Sequence, residues 1–541
     1  MDVALGSIVV SFAVIALVMW AWRVLNWLWL KPKRLERCLR EQGLSGNPYR
    51  VFYGDMKEMR MIVKEAKSRP INLSDDILPR AMPFHHHIIK KYDKMVLDRS
   101  MPVAMGSKLS WSKRGKNSFM WVGPVPRVNI MEPELIKEIL SKNDVFKKAK
   151  PNPLARLLIG GIAFYEDEQW AKHRKILNPA FHMEKLKNML PAMYLCCSQM
   201  MSKWEMLLSK KSSCDLDVQP YLDNLTGDVI SRTAFGSSYE EGRTLFELQK
   251  EQAELTRQIV QSVYIPGWRF LPTKINKRMK EINNELVAIM SEMINKRERS
   301  MKLGVAGQDD DLLSLLLTSN MREIQEHGNN KDMGMSFEEV IEDCKAFYFA
   351  GQESTSNFLL WTMVLLSIHP EWQVRAREEV WKAFRNNKPD FDGLNHLKIV
   401  TMIMNEVLRL YPPAATVIRT INKDTKLGNM TLPLGIELLL PIILVHSDHD
   451  IWGKDATKFK PERFSQGIAN ATKNQQVSYL PFSWGPRICI ANNFALIEAK
   501  LALVMILQRF SFKLSPSYTH APTYAVNLRP QHGAHLTLSK I

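Results

Sequence analysis

The sequence predicts a mainly α-helical chain with small β-sheets, built as one large unit behind an N-terminal apolar helix. Three observations predict it. Residues 3–22 carry no charge, helical periodicity recurs through most of the remaining chain, and the extended pieces are few and short.

The uncharged run is 20 residues long, enough to span a bilayer as a helix. Trp20, Trp22, Trp27 and Trp29 gather at its end, where an interfacial belt lies. Arg23, Lys31, Lys33, Arg34, Arg37 and Arg40 come next, opposed up to that point only by Glu36. Such a flank stays cytosolic, which puts Asp2 on the far side of the membrane. The run is too long for the apolar part of a signal peptide, and no small-residue cleavage site succeeds it. Pro32 is expected to stop any helix continuing from the anchor. The expected organisation is an anchor and interface over 1–30, a basic, proline-containing linker over 31–50, and one catalytic-sized domain over 51–541.

Helical patterns occupy 133–141, 168–177, 184–208, 245–263 and 274–302. The first opens on Pro133, at the helical position where a missing N–H costs nothing. Extended pieces fall near 119–122, 127–130 and 436–440. Polar surface loops are expected at 304–311 and 320–335. The longest helix begins at Ser336, which forms a capping box with Glu339. It runs about 32 residues, or about 48 Å. Its middle, Phe347-Tyr348-Phe349-Ala350-Gly351, is apolar and then small, so the helix is expected to be buried, with room for a flat ligand against its backbone. Gln352, Glu353, Ser354 and Thr355 then put polar groups where a buried helix should have none. Read alone, they serve either function or a kink in which side chains bond backbone carbonyls.

The chain has 541 residues, 45% of them hydrophobic, and 73 Lys+Arg against 56 Asp+Glu, a net charge of +17. That excess suits an anionic membrane or an acidic protein partner. Nucleic acid ranks lowest, since no zinc finger or basic-helix motif is present. Cys38, Cys196, Cys197, Cys214, Cys344 and Cys489 form no spaced disulfide framework, which argues for a reducing compartment. No internal repeat occurs. His85-His86-His87 reads as structure, because adjacent histidines point different ways and no further ligand set is spaced for zinc. The turn at 266–270 could dip into a membrane or pack inside. The 29 methionines read as adaptable core.

Cys489 is the most informative residue. It comes after Phe482-Ser483-Trp484-Gly485-Pro486-Arg487-Ile488 and precedes a helical run over 492–508. Unpaired N–H groups at a helix N-terminus favour the thiolate. A single thiolate with no second cysteine nearby suits one axial bond to a haem iron better than a zinc or iron–sulfur cage. A cysteine with no such context would be a buried, inert one.

Phe482-x-x-Gly485-x-Arg487-x-Cys489-x-Ala491 resembles the haem-binding signature of cytochromes P-450, with alanine at the last glycine. Ala350-Gly351-Gln352-Glu353-Ser354-Thr355 resembles the family's distal motif, with serine in place of its usual threonine. Glu406-x-x-Arg409 and Arg463, in Pro461-Glu462-Arg463-Phe464, resemble its buried proximal ion-pair cluster. The likeness covers nearly the whole chain. It is strongest to the plant clan and family that includes secologanin synthase and related triterpenoid and gibberellin oxidases. It implies a cytochrome P-450 fold with a single catalytic domain, and haem b ligated by Cys489. Trp170, Arg174, Arg487 and Arg419 would hold the propionates, with Phe482 beside the haem and Glu353, Ser354 and Thr355 relaying protons. Electrons would come through an NADPH-cytochrome reductase, and O2 and a lipophilic small molecule would react, with substrate contacts within 148–161, 245–265, 347–355 and 412–417. The resemblance also implies the endoplasmic reticulum membrane, spanned once, with the catalytic domain cytosolic. The rival readings are a reductase-independent haem-thiolate isomerase and a catalytically silent haem-binding or scaffold relative. Residues 95–114 interrupt the family match and read as an insertion without catalytic part.

Overall fold

A computed structural model describes residues 2–98, 117–209, 211–236, 239–260, 262–303, 311–472 and 476–541. The anchor helix spans Asp2–Leu25 and leads through a π-helical turn, Asn26–Leu30, into the helix Lys31–Glu41. Pro32 therefore does not stop the helix. The Lys31 N–H donates to the Asn26 carbonyl, five residues back. This wider turn comes immediately before the proline, in the register where its ring and missing N–H are tolerated. Residues 31–41 are also packed, since Pro32, Leu35, Glu36 and Leu39 are buried. Glu36 stays charged there because Lys33 and Arg40 bond its carboxylate at 3.0 Å each. Along the helix Asp2–Leu25, Phe12, Leu17, Trp20 and Trp22 are all more than 60% exposed.

The helices Pro133–Ser141, Asp167–Leu177, Met183–Leu208 and Lys274–Lys302 lie where the periodicity places them. The helix read over 245–263 is Tyr239–Ile259. The chain leaves it for an exposed aromatic turn in which Phe270 is 70% and Trp268 43% exposed, so that turn is not packed inside. The loop expected over 320–335 begins late. The helix Leu312–Glu326 runs through it, and Asn320 exchanges bonds with Met335 at 3.1 and 2.7 Å, folding the returning chain onto the helix. The insertion read over 95–114 lies mostly outside the described residues. The backbone as far as Asp98 continues the helix Pro83–Asp98, in which His85 is enclosed and His87 exposed.

The central helix, Phe337–Ile368, crosses the molecule. Its capping box is complete, with Ser336 and Glu339 each bonding the other's backbone N–H. It packs most extensively on the helix Gln219–Phe235. A side chain on Gly351 would come within 2.9 Å of Ile230. That glycine therefore serves helix–helix approach, and it is Ala350 that is exposed on the helix's open side.

The largest sheet has six strands in the order Ser45–Gly46, Ser118–Val122, Val125–Asn129, Glu437–Leu440, Val417–Ile421, Phe146–Lys148. In its last antiparallel pair Lys148 stands opposite Arg419. A three-stranded sheet joins Phe510–Leu514, His535–Lys540 and Ser213–Asp217. The architecture is mainly helical with small sheets, as the sequence predicts.

Candidate active site

The loop before Cys489 is folded by two left-handed residues, Ser483 (φ 66°) and Gly485 (φ 71°). Glycine is required at the second, where a Cβ would lie 2.5 Å from the Leu140 carbonyl oxygen. The Cys489 N–H closes the loop by donating to the Phe482 carbonyl at 2.9 Å. Phe482 itself packs against the core. Ala491 caps the helix Asn492–Arg509 at φ −98°. Any L-residue adopts that conformation, so alanine serves where the family pattern has glycine.

Cys489 is enclosed by protein yet its side chain is exposed, which places it on an internal opening. Burial pushes its thiol up, while the Ala491 N–H, Arg174 and Lys148 pull it down. From the sequence the helix N-terminus is visible, and neither the burial nor the approach of Arg174 and Lys148 is. In the protein alone burial outweighs the rest.

Four cations converge beside this loop. Arg174 donates to the Ile488 carbonyl at 3.0 Å. Arg487 donates to the Tyr165 carbonyl at 2.7 Å, pairs with Glu166 at 2.8 Å, and lies 4.2 Å above the Trp170 ring. Arg419 is buried, with its own chain's Ile418 carbonyl as acceptor at 3.1 Å. Burial, then Arg487, pull it down to about 10. Lys148 completes the set. Burial and then Arg487 and Arg419 pull it down to about 7. Sequence reasoning did not single out Lys148 as an anion ligand, although the pairing of its strand with that of Arg419 puts the two together. Gathering this much like charge, two of the four cations buried, near only the carboxylates of Glu166 and Asp167 is costly unless a further anion joins it.

On the central helix, Glu353 pairs with Arg257 at 2.8 Å, a partner 96 residues away that no local pattern announces. The Ser354 hydroxyl donates to the Ala350 carbonyl at 2.6 Å. That is the carbonyl-bonded arrangement polar residues adopt in helices, and its oxygen remains an acceptor. Thr355 is buried.

The Glu406–Arg409–Arg463 cluster is assembled in the interior. Arg409 grips both oxygens of Glu406 at 2.8 and 2.7 Å, and both side chains are fully buried. Arg463 stands 3.6 Å from the same carboxylate. His446 accepts the Leu480 N–H at 2.8 Å through Nε2 and faces the Arg409 carbonyl at 3.0 Å through Nδ1, linking the cluster to the chain that enters the cysteine loop.

A family model, cytochrome P450, matches residues 109–536. The chain belongs to the cytochrome P450 family. Its similarity extends over whole proteins: it is 56% identical to Cytochrome P450 CYP72A219 of Panax ginseng, over all of both chains. It is 51% identical to secologanin synthase 1 of Catharanthus roseus, over 98% of each. It is 50% identical to 7-deoxyloganic acid hydroxylase of the same plant, over all of both. This cytochrome P450 is therefore a monooxygenase, of a family that carries haem iron on a cysteine thiolate. Its residues fit that group. The enclosed but exposed Cys489 would offer the sulfur, and the unbalanced cations would offer what two propionates need.

Proposed function

We propose that this cytochrome P450 is anchored in the endoplasmic reticulum membrane by its exposed apolar helix. Its catalytic domain, on the cytosolic side, inserts one oxygen atom of O2 into a C–H bond of a lipophilic plant metabolite. The substrate class is a terpenoid or terpenoid hormone, in keeping with the relatives named secologanin synthase and 7-deoxyloganic acid hydroxylase. NADPH supplies the electrons through a cytochrome reductase, whose acidic face complements a chain of charge +17.

Bound on Cys489, haem b supplies the O2-activating chemistry. The remaining work falls to side chains. Lys148, Arg174, Arg419 and Arg487 neutralise the propionates, and Trp170 fixes the plane of Arg487. Phe482 and Gly485 shape the loop that presents the sulfur. Ser354 holds a proton at its hydroxyl oxygen, and Glu353, once parted from Arg257, takes a proton from solvent water and passes it on to renew it. Thr355 completes the polar step in the helix.

The observation that carries this reading is Cys489, enclosed yet open, beside a cation cluster with too few anions. The reduced carbonyl complex of the protein is expected to show the thiolate-type absorption, and Cys489→His to lose it. Persistence of that band in the variant would remove Cys489 as the ligand. Microsomes containing the protein and a reductase, given a panel of triterpenes, gibberellins and iridoids, identify the substrate.

A further inference from the structure

His173 lies between Trp170 and Arg174 in sequence but is fully buried, against the central helix. Its Nδ1 is 2.6 Å from Asp343 Oδ2, and both side chains are completely enclosed. The other oxygen of Asp343 accepts the Ile162 N–H at 2.6 Å. One carboxylate thus holds both ends of the 162–173 stretch.

The backbone is shaped around that carboxylate. Gly161 has φ +56°, and a Cβ there would lie 2.1 Å from Asp343 Oδ1. Between the two tethered points the Tyr165 ring packs on His173, with centroids 4.4 Å apart. The Tyr165 carbonyl accepts from Arg487 Nη1 at 2.7 Å, and the next residue, Glu166, pairs with Arg487 Nη2 at 2.8 Å. Every polar contact holding Arg487 on that side therefore comes from backbone or side chains that the Asp343–His173 pair fixes in place.

We infer that Asp343 and His173 are positioning residues. They hold residues 162–166 so that Arg487 faces the haem edge, and through Arg487 they set the reduction potential of the haem. This rests on the haem-thiolate reading above. An Arg487 that drifts from the propionates leaves their negative charge less compensated, which favours the ferric state and lowers the potential.

The test uses the full-length, haem-loaded protein. His173→Phe keeps a ring for Tyr165 and removes the bond to Asp343. It is expected to lower the haem midpoint potential, speed haem transfer to apomyoglobin about tenfold, and speed amide exchange at 162–166. His173→Asn, whose amide can still donate to Asp343, is expected to recover most of the parent potential. Parent values in His173→Phe would overturn the inference, and so would an asparagine variant shifted as far as the phenylalanine one. If the single variant leaves Asp343 too costly to bury, Asp343→Asn/His173→Phe removes the charge. Loss of a nearby negative charge alone raises a potential, so a fall supports positioning, and a rise or no change overturns it. A parent protein without the thiolate-type carbonyl band would sink the haem-thiolate reading itself, before any variant is compared.

Discussion

Ser354 gives its hydroxyl hydrogen to the Ala350 carbonyl, and Glu353 is held by Arg257. In the proposed relay, neither group passes a proton until it moves. Ser354→Ala is expected to leave haem content intact while more reducing equivalents escape as peroxide, with product formation falling by up to ~10²-fold. Unaltered coupling, read as product formed per NADPH consumed, would remove Ser354 from the relay. Lys148→Met is expected to cost roughly 1.5–3 kcal/mol of haem binding, the range for a hydrogen bond to a charged group. Haem transfer to apomyoglobin would then speed up about 10- to 150-fold. The two residues differ in how legible they were. Ser354 sits in a contiguous motif, and the resemblance to the family's distal motif singled it out. Lys148 has no motif of its own, and only strand register brings it to Arg419. Arg257 and Asp343 were missed for the same reason: their partners are 96 and 170 residues away.

Among elements, those with strong local signals stand where expected, the capped central helix above all. Elements governed by tertiary contacts do not. The loop at 320–335 starts late because Asn320 bonds Met335 and lets the helix run on to Glu326. Gly351, read as space for a ligand, is space for Ile230. The junction between the helix Lys398–Leu410 and the cysteine loop depends on one neutral imidazole. Burial, then Arg409, pull His446 down to about 3, and its Nε2 must stay unprotonated to accept from Leu480. An unfolded histidine takes up its proton near pH ~6.5. The stabilisation from keeping His446 neutral is therefore complete above that pH and is lost progressively as pH falls towards 3. His85 and His520, also pulled down by burial, add to the same slope. His446→Phe is expected to be less stable at pH 7.5 by about 1–3 kcal/mol, the cost of orphaning a buried donor. Its stability, measured by urea denaturation of the haem-loaded protein, should fall less steeply between pH 7 and 5 than the parent's. An equal slope in the two proteins would remove His446 from the acid response.

For the whole molecule, we propose that residues 95–114 are an excursion from the catalytic domain. Joining Lys94 to Gly115 is expected to leave haem content and reductase-supported turnover equal or better, since surface insertions carry a small thermodynamic cost. A deletion variant that no longer takes up haem would make the block part of the folded unit. Nearer the N-terminus, the helix that leaves the anchor does not fray into a tether. It passes through the π turn into Lys31–Glu41, which is packed into the domain, and Tyr49 bonds the Leu28 carbonyl at 2.7 Å. In the membrane-anchored arrangement proposed above, the domain is thus carried on a stiff mast and not moored by a rope. On a mast, height and heading are coupled: each residue removed from the spanning part lowers the domain by about 1.5 Å and turns it by about 100°. The aromatic turn with Trp268 and Phe270 would then swing towards or away from the lipid with the period of a helix, so in the proposed arrangement the length of the anchor would act as a compass setting for the face turned to the membrane.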